Sequence, residues 1–111
     1  MDVQRKIANY LHSNWNRSKQ YLEEGLRRIA RIWKVARNMH KDIPDQDLCP
    51  DVLQMEWEKI YRDAFDDHFS QMEDLKIRAT KTGDQEKLEK IEDMVSIYQE
   101  LAEKSPKIED L

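Results

Sequence analysis

HSNWNRSK, residues 12–19, is a polar stretch between two apolar patterns, and whether a helix runs through it decides the fold. Stepping about 100° per residue from Val3 puts Ile7, Tyr10, Leu11 and Trp15 on one helical face. The same rotation carried past the stretch brings Tyr21, Leu22, Leu26, Ile29, Ile32, Trp33, Ala36 and Met39 onto that face. A chain break would ordinarily reset the phase, so the unbroken pattern predicts one long helix over residues 2–40. Its expected kink lies at residues 13–18, because Asn14 and Ser18 fall on the buried arc, and Gly25 is a further local weakness.

Beyond this helix, DIPDQDLCPD (residues 42–51) has loop composition, and Pro50 suits the first turn of the next helix. A second helix is predicted over 50–79 from the arc of Leu53, Trp57, Ile60, Tyr61, Ala64, Phe65, Phe69, Met72 and Leu75. TKTGDQ then interrupts the pattern, with Thr82 or Asp84 as the N-cap of a third helix over 85–104. Its apolar side carries Leu88, Ile91, Met94, Val95, Tyr98, Leu101 and Ala102. Ser105-Pro106 stops it, and residues 105–111 read as a short tail. With 111 residues, 39% apolar and only two glycines, the chain is expected to be all-α. Residues 1–104 form its single domain, an antiparallel three-helix bundle of coiled-coil-like pairs.

The predicted helices are unequal, roughly 57, 45 and 30 Å long at ~1.5 Å per residue. The third is too short to cover the whole hairpin formed by the first two. This leaves an apolar end made by Ile32, Trp33, Val35, Ala36, Met39, Leu53, Trp57 and Ile60, larger than soluble monomers ordinarily expose. A second copy, another protein or the tail through Ile108 and Leu111 must cover it. Self-association ranks first, since an identical hairpin carries the same uncovered end and can pack on it through two-fold symmetry.

Charge is uneven as well. Residues 25–41, GLRRIARIWKVARNMHK, hold six basic side chains (Arg27, Arg28, Arg31, Lys34, Arg37, Lys41) and no acid, within a chain of net charge −4. Glu56, Asp63, Asp67 and Asp74 flank the apolar arc of the second helix, so antiparallel packing is expected to set basic against acidic flanks. The alternative is a nucleic-acid contact through the basic face. The aromatic residues interleaved with it fall on the apolar side, which argues against base stacking.

Candidate chemistry is sparse. His68, on the apolar arc between Phe65 and Phe69 with Asp63 and Asp67 nearby, reads as a buried neutral histidine donating one hydrogen bond, and as the one pH-sensitive element. None of His12, His40 or His68 has a Glu three residues before it, and a lone Cys49 cannot build a zinc knuckle, so no metal site or cofactor is predicted. Glu86, Glu89, Glu92 and Asp93 gather acids on the third helix as Mg²⁺-dependent helical nucleotide hydrolases do, but on its polar side. The expected function is therefore non-enzymatic: an adaptor, inhibitor, assembly factor or complex subunit, homodimeric or protein-binding, with no catalytic residues and no small-molecule substrate. The single cysteine favours a reducing compartment, and no run of about 20 apolar residues is present to cross a membrane. The expected location is the cytoplasm, or the nucleus of a eukaryotic cell.

Overall fold

The computed structural model describes residues 3–39 and 50–111; the side chains of 38, 39 and 50 lie outside that description. The described residues form four α-helices and no strand: α1 Val3–Ser13, α2 Lys19–Met39, α3 Pro50–Thr82 and α4 Gln85–Ala102. A 3₁₀ turn follows at Ile108–Asp110.

The predicted helix over 2–40 is two helices, and the residues that seemed to flaw its apolar arc are those that end one and begin the other. Asn14 donates through Nδ2 to the Tyr10 carbonyl at 2.8 Å. Ser18 Oγ accepts the Tyr21 N–H at 3.2 Å, the N-cap bond that opens α2. The chain then doubles back. The Tyr10 hydroxyl reaches the Tyr21 carbonyl at 3.0 Å, and its ring lies so close to Gly25 that a Cβ there would overlap the phenol. In a continuous helix residues 10 and 25 would stand about 22 Å apart. Gly25 is thus the gap in α2 that admits Tyr10, and its lack of a side chain is a packing requirement.

α3 is the central element. α1, α4 and the 108–110 turn all pack against it, and it carries an aromatic ladder at i, i+4 spacing. Trp57 and Tyr61 have ring centroids 6.0 Å apart, Tyr61 and Phe65 4.7 Å, and Phe65 and Phe69 6.2 Å, while Trp33 of α2 joins the ladder at Trp57, 5.5 Å away. Fully buried Ala8, Ala30 and Ala64 keep the helices close. The α3–α4 connection follows the sequence expectation: Gly83 takes φ +70°, and Asp84 caps α4 by accepting the Lys87 N–H at 3.1 Å. α3 starts at Pro50 as expected and runs on to Thr82, past the predicted end at 79. The predicted loop at 42–51 lies almost wholly outside the described residues.

Two buried tyrosines tie the elements together. Tyr98 on α4 donates to the Leu11 carbonyl at 2.9 Å, and Tyr61 on α3 donates to the Leu101 carbonyl. Burial pushes both phenols above their ordinary range, so each stays a neutral donor.

In an open helix interior Gly→Ala stabilises by roughly 0.5–1 kcal/mol. Here the overlap with Tyr10 reverses the sign, and Gly25→Ala is expected to cost about 1–3 kcal/mol in urea unfolding. In a Tyr10→Leu background the same substitution should be neutral or stabilising.

Candidate functional site

The apolar end that the sequence left uncovered is closed by the chain's own residues 105–111. Trp57 is 0% exposed, Trp33 6% and Ile108 2%, and all three belong to one core cluster with Leu53. The segment crosses α2 and α3 at the residues next to Trp33 and Leu53. Lys34 Nζ donates to the backbone oxygens of Ile108 and Leu111, each at 3.0 Å, and Gln54 Oε1 accepts the Ile108 N–H at 2.8 Å. Leu111 packs on the same cluster.

This divides the predicted interface. Trp33, Leu53 and Trp57 are core, and Ile60 is half-buried against it. Ile32 (43% exposed) and Val35 (56% exposed) remain at the surface, with half-buried Ala36 beside them. Together with Arg31 these residues line a shallow apolar hollow on the outer face of α2. The Met39 side chain is outside the described residues. Val35, read from the sequence as part of the uncovered end, lies off the arc that points to the core and stays exposed. The exposed face takes Ile32 and Ala36 from the edge of that arc and adds Val35 beyond it.

The basic stretch is also resolved residue by residue. Arg37 pairs with Glu56 at 3.3 Å, as the charge-pairing expectation required. Lys34 is spent on the backbone of the 105–111 segment. Arg27, Arg28 and Arg31 are exposed and make no ion pair among the described residues, and Asp63, Asp67 and Asp74 are not paired with the basic stretch. Lys41 lies outside the described residues. The second ion pair, Lys19–Glu100 at 2.9 Å, joins α2 to α4 where the sequence offered no register to suggest it.

His68 is fully buried, as expected, but not hydrogen-bonded as expected. Neither ring nitrogen has a partner among the described residues, and Nδ1 of His12 is buried and unpartnered beside it. The two rings stand 6.2 Å apart, and His68 meets the Tyr98 ring edge-on at 4.3 Å. Asp67 is exposed and Asp63 half-buried, and neither bonds the imidazole. Burial, with a smaller contribution from His12, therefore pushes His68 down to about 4. The acids Glu86, Glu89, Glu92 and Asp93 are exposed on α4, and the described residues contain no group of three or more His, Cys, Asp or Glu side chains placed to hold a metal ion. None of the described helices is long and apolar enough to cross a membrane.

The unfolded chain protonates this histidine near its ordinary 6.5 and the folded chain only near 4. Between those values the unfolded state binds more protons, so stability is fully present above pH 6.5 and falls as the pH drops. His68→Leu is expected to reduce the loss of unfolding free energy between pH 7 and pH 4.5 by about 2 kcal/mol, measured by urea titration; equal losses in both proteins would show that the folded histidine takes up its proton as readily as the unfolded one.

Comparison of the chain with protein-family models, with curated proteins and with solved structures returns no match, so the geometry above carries the functional reading.

Proposed function

We propose that this chain is a non-enzymatic interaction protein, an adaptor, inhibitor, assembly factor or complex subunit, that binds a partner protein through the outer face of α2. The observation that carries this reading is exposed Ile32 and Val35 with half-buried Ala36, at i, i+3 and i+4, flanked by Arg28 and Arg31, which have no ion-pair partner among the described residues. Apolar anchors at this spacing receive an amphipathic helix, and an unpaired guanidinium rim selects one with acidic flanks.

The homodimer expected from the sequence rested on an open Trp33/Trp57 end, and residues 105–111 occupy that end. A second copy docking through the α2 face instead would bring its own Arg28 and Arg31 to the same small patch, a like-charge arrangement that an acidic partner avoids. The nucleic-acid alternative draws on the same arginines. Trp33 cannot stack on a base from the core, so that reading retains only phosphate contacts. The single cysteine fits work in a reducing compartment.

Ile32→Glu/Val35→Glu and Arg28→Glu/Arg31→Glu are surface changes expected to shift unfolding by no more than about 0.5 kcal/mol per site. Each pair should abolish recovery of the same bound protein from cells that express the chain, and retention of every bound protein by the first pair overturns the reading. A dimer seen in sedimentation and lost on Val35→Glu would assign the face to a second copy. Binding of a DNA or RNA duplex that weakens steeply with salt and is lost only in the arginine variant would assign it to phosphate contacts.

A further inference from the structure

We infer that the groove between α2 and α3 occupied by residues 105–111 is a peptide-binding site filled by the chain's own segment, and that its exchangeable occupant is a short Ile-x-x-Leu turn on a partner protein. The inference is independent of the α2 outer face.

The first support is the kind of contact the segment makes. Ile108 is its buried plug, and Leu111 sits against the core three residues later. Its hydrogen bonds to the groove use only its backbone: Lys34 Nζ donates to the Ile108 and Leu111 oxygens, and the Ile108 N–H donates to Gln54 Oε1. Backbone bonds with pockets for alternate apolar side chains are how grooves accept foreign segments, since any chain with the same turn and the same two anchors presents the same atoms. Lys107, Glu109 and Asp110 between and before the anchors are exposed and are not hydrogen-bonded through their side chains to α2 or α3.

The second support is the segment's position at the surface of the groove. Hollows of about 480 and 310 Å³ flank the segment, one against Asp51, Gln54 and Glu58 of α3, the other against Glu23, Leu26 and Arg27 of α2 together with Tyr61. Both are clefts open to solvent and lined largely by charged side chains, so only Ile108 of the segment is sunk in the core and the rest lies at its rim. Here it lies across the groove as a strap, with room for a longer or bulkier occupant to make contacts the strap does not.

The third is the tether. α4 ends at Ala102, and residues 103–107, with Pro106, link it to the 3₁₀ turn without helical structure. The link lets the strap leave while α4 stays held by the Tyr61 and Tyr98 hydroxyl bonds, both of which lie before the link. Leaving uncovers an apolar surface at Trp33, Leu53 and Trp57 that needs a replacement. While tethered, the strap competes at an effective concentration on the order of millimolar, so only an occupant with further contacts displaces it.

The test uses the full chain and an amidated, fluorescein-labelled peptide of residues Lys104 to Leu111, KSPKIEDL. Ile108→Asp should empty the groove and bind this peptide saturably in fluorescence anisotropy, with wild type binding at least ten-fold more weakly. Adding Lys34→Met to the Ile108→Asp chain should weaken binding several-fold. An Ile108→Asp chain that keeps wild-type helicity and does not bind the peptide overturns the inference. Should that variant unfold, hydrogen exchange on wild type decides. The Ile108 and Leu111 amides should exchange at least ten-fold faster than the amides of Tyr61 and Tyr98, and equal protection overturns independent opening. A wild-type dimer in sedimentation that the peptide dissociates would give the groove to a second copy's strap and overturn the assignment to a different partner.

Discussion

The contact of the Tyr10 ring with the bare backbone at Gly25 lets α1 lie back along α2 while α1 packs most extensively on α3. It folds α1 back on α2, and only because α1 lies there can its Leu11 carbonyl receive the Tyr98 hydroxyl and its His12 stand beside His68. A straight helix of the same sequence would carry these residues along a single rod, with no route by which Tyr10 could reach Gly25. The turn at 14–18 uses polar side chains as local hydrogen-bond partners, which removes the unfavourable burial that a continuous helix would impose on Asn14 and Ser18.

The interior that results treats its polar groups unequally. Both buried tyrosine hydroxyls end on carbonyls near helix ends, the Leu101 oxygen also accepting the Lys104 N–H, so they add specificity to the docking of α4. The histidines are the reverse case. His68 sits among Phe69, Tyr98 and His12 with no carboxylate close enough to bond it, so its environment rejects a proton more strongly than neighbouring acids in the sequence would suggest. Proximity in sequence placed Asp67 next to it, but adjacent residues on a helix point about 100° apart, and Asp67 faces out.

At the surface, the basic residues of α2 serve three different ends. Arg37 holds α3 through Glu56, Lys34 holds the strap through its backbone, and Arg27, Arg28 and Arg31 are left facing outward. The strap changes the meaning of the apolar residues nearby in the same way: it takes Trp33 and Trp57 out of the accessible surface and leaves Ile32, Val35 and Ala36 on it. Charge and apolarity that looked like one composite feature in GLRRIARIWKVARNMHK are therefore separate, one part structural and one part exposed.

Helical class, the start of α3 at Pro50, the Gly83 turn, the Asp84 cap and nearly all of the core were legible in the sequence, because periodicity, capping and turn chemistry act over a few residues. The same periodicity also hid the break at 14–18: two helices whose apolar faces happen to stay in phase look identical to one. The sequence by itself also showed that the Trp33/Trp57 end needed a cover and named Ile108 and Leu111 among the candidates. What only the tertiary structure decided was which candidate did so, where α1 went, and which arginines found partners. Those outcomes depend on contacts between residues far apart in the chain, such as Tyr10 with Gly25 and Lys34 with Ile108, and local patterns record that a side chain must be buried without recording what buries it.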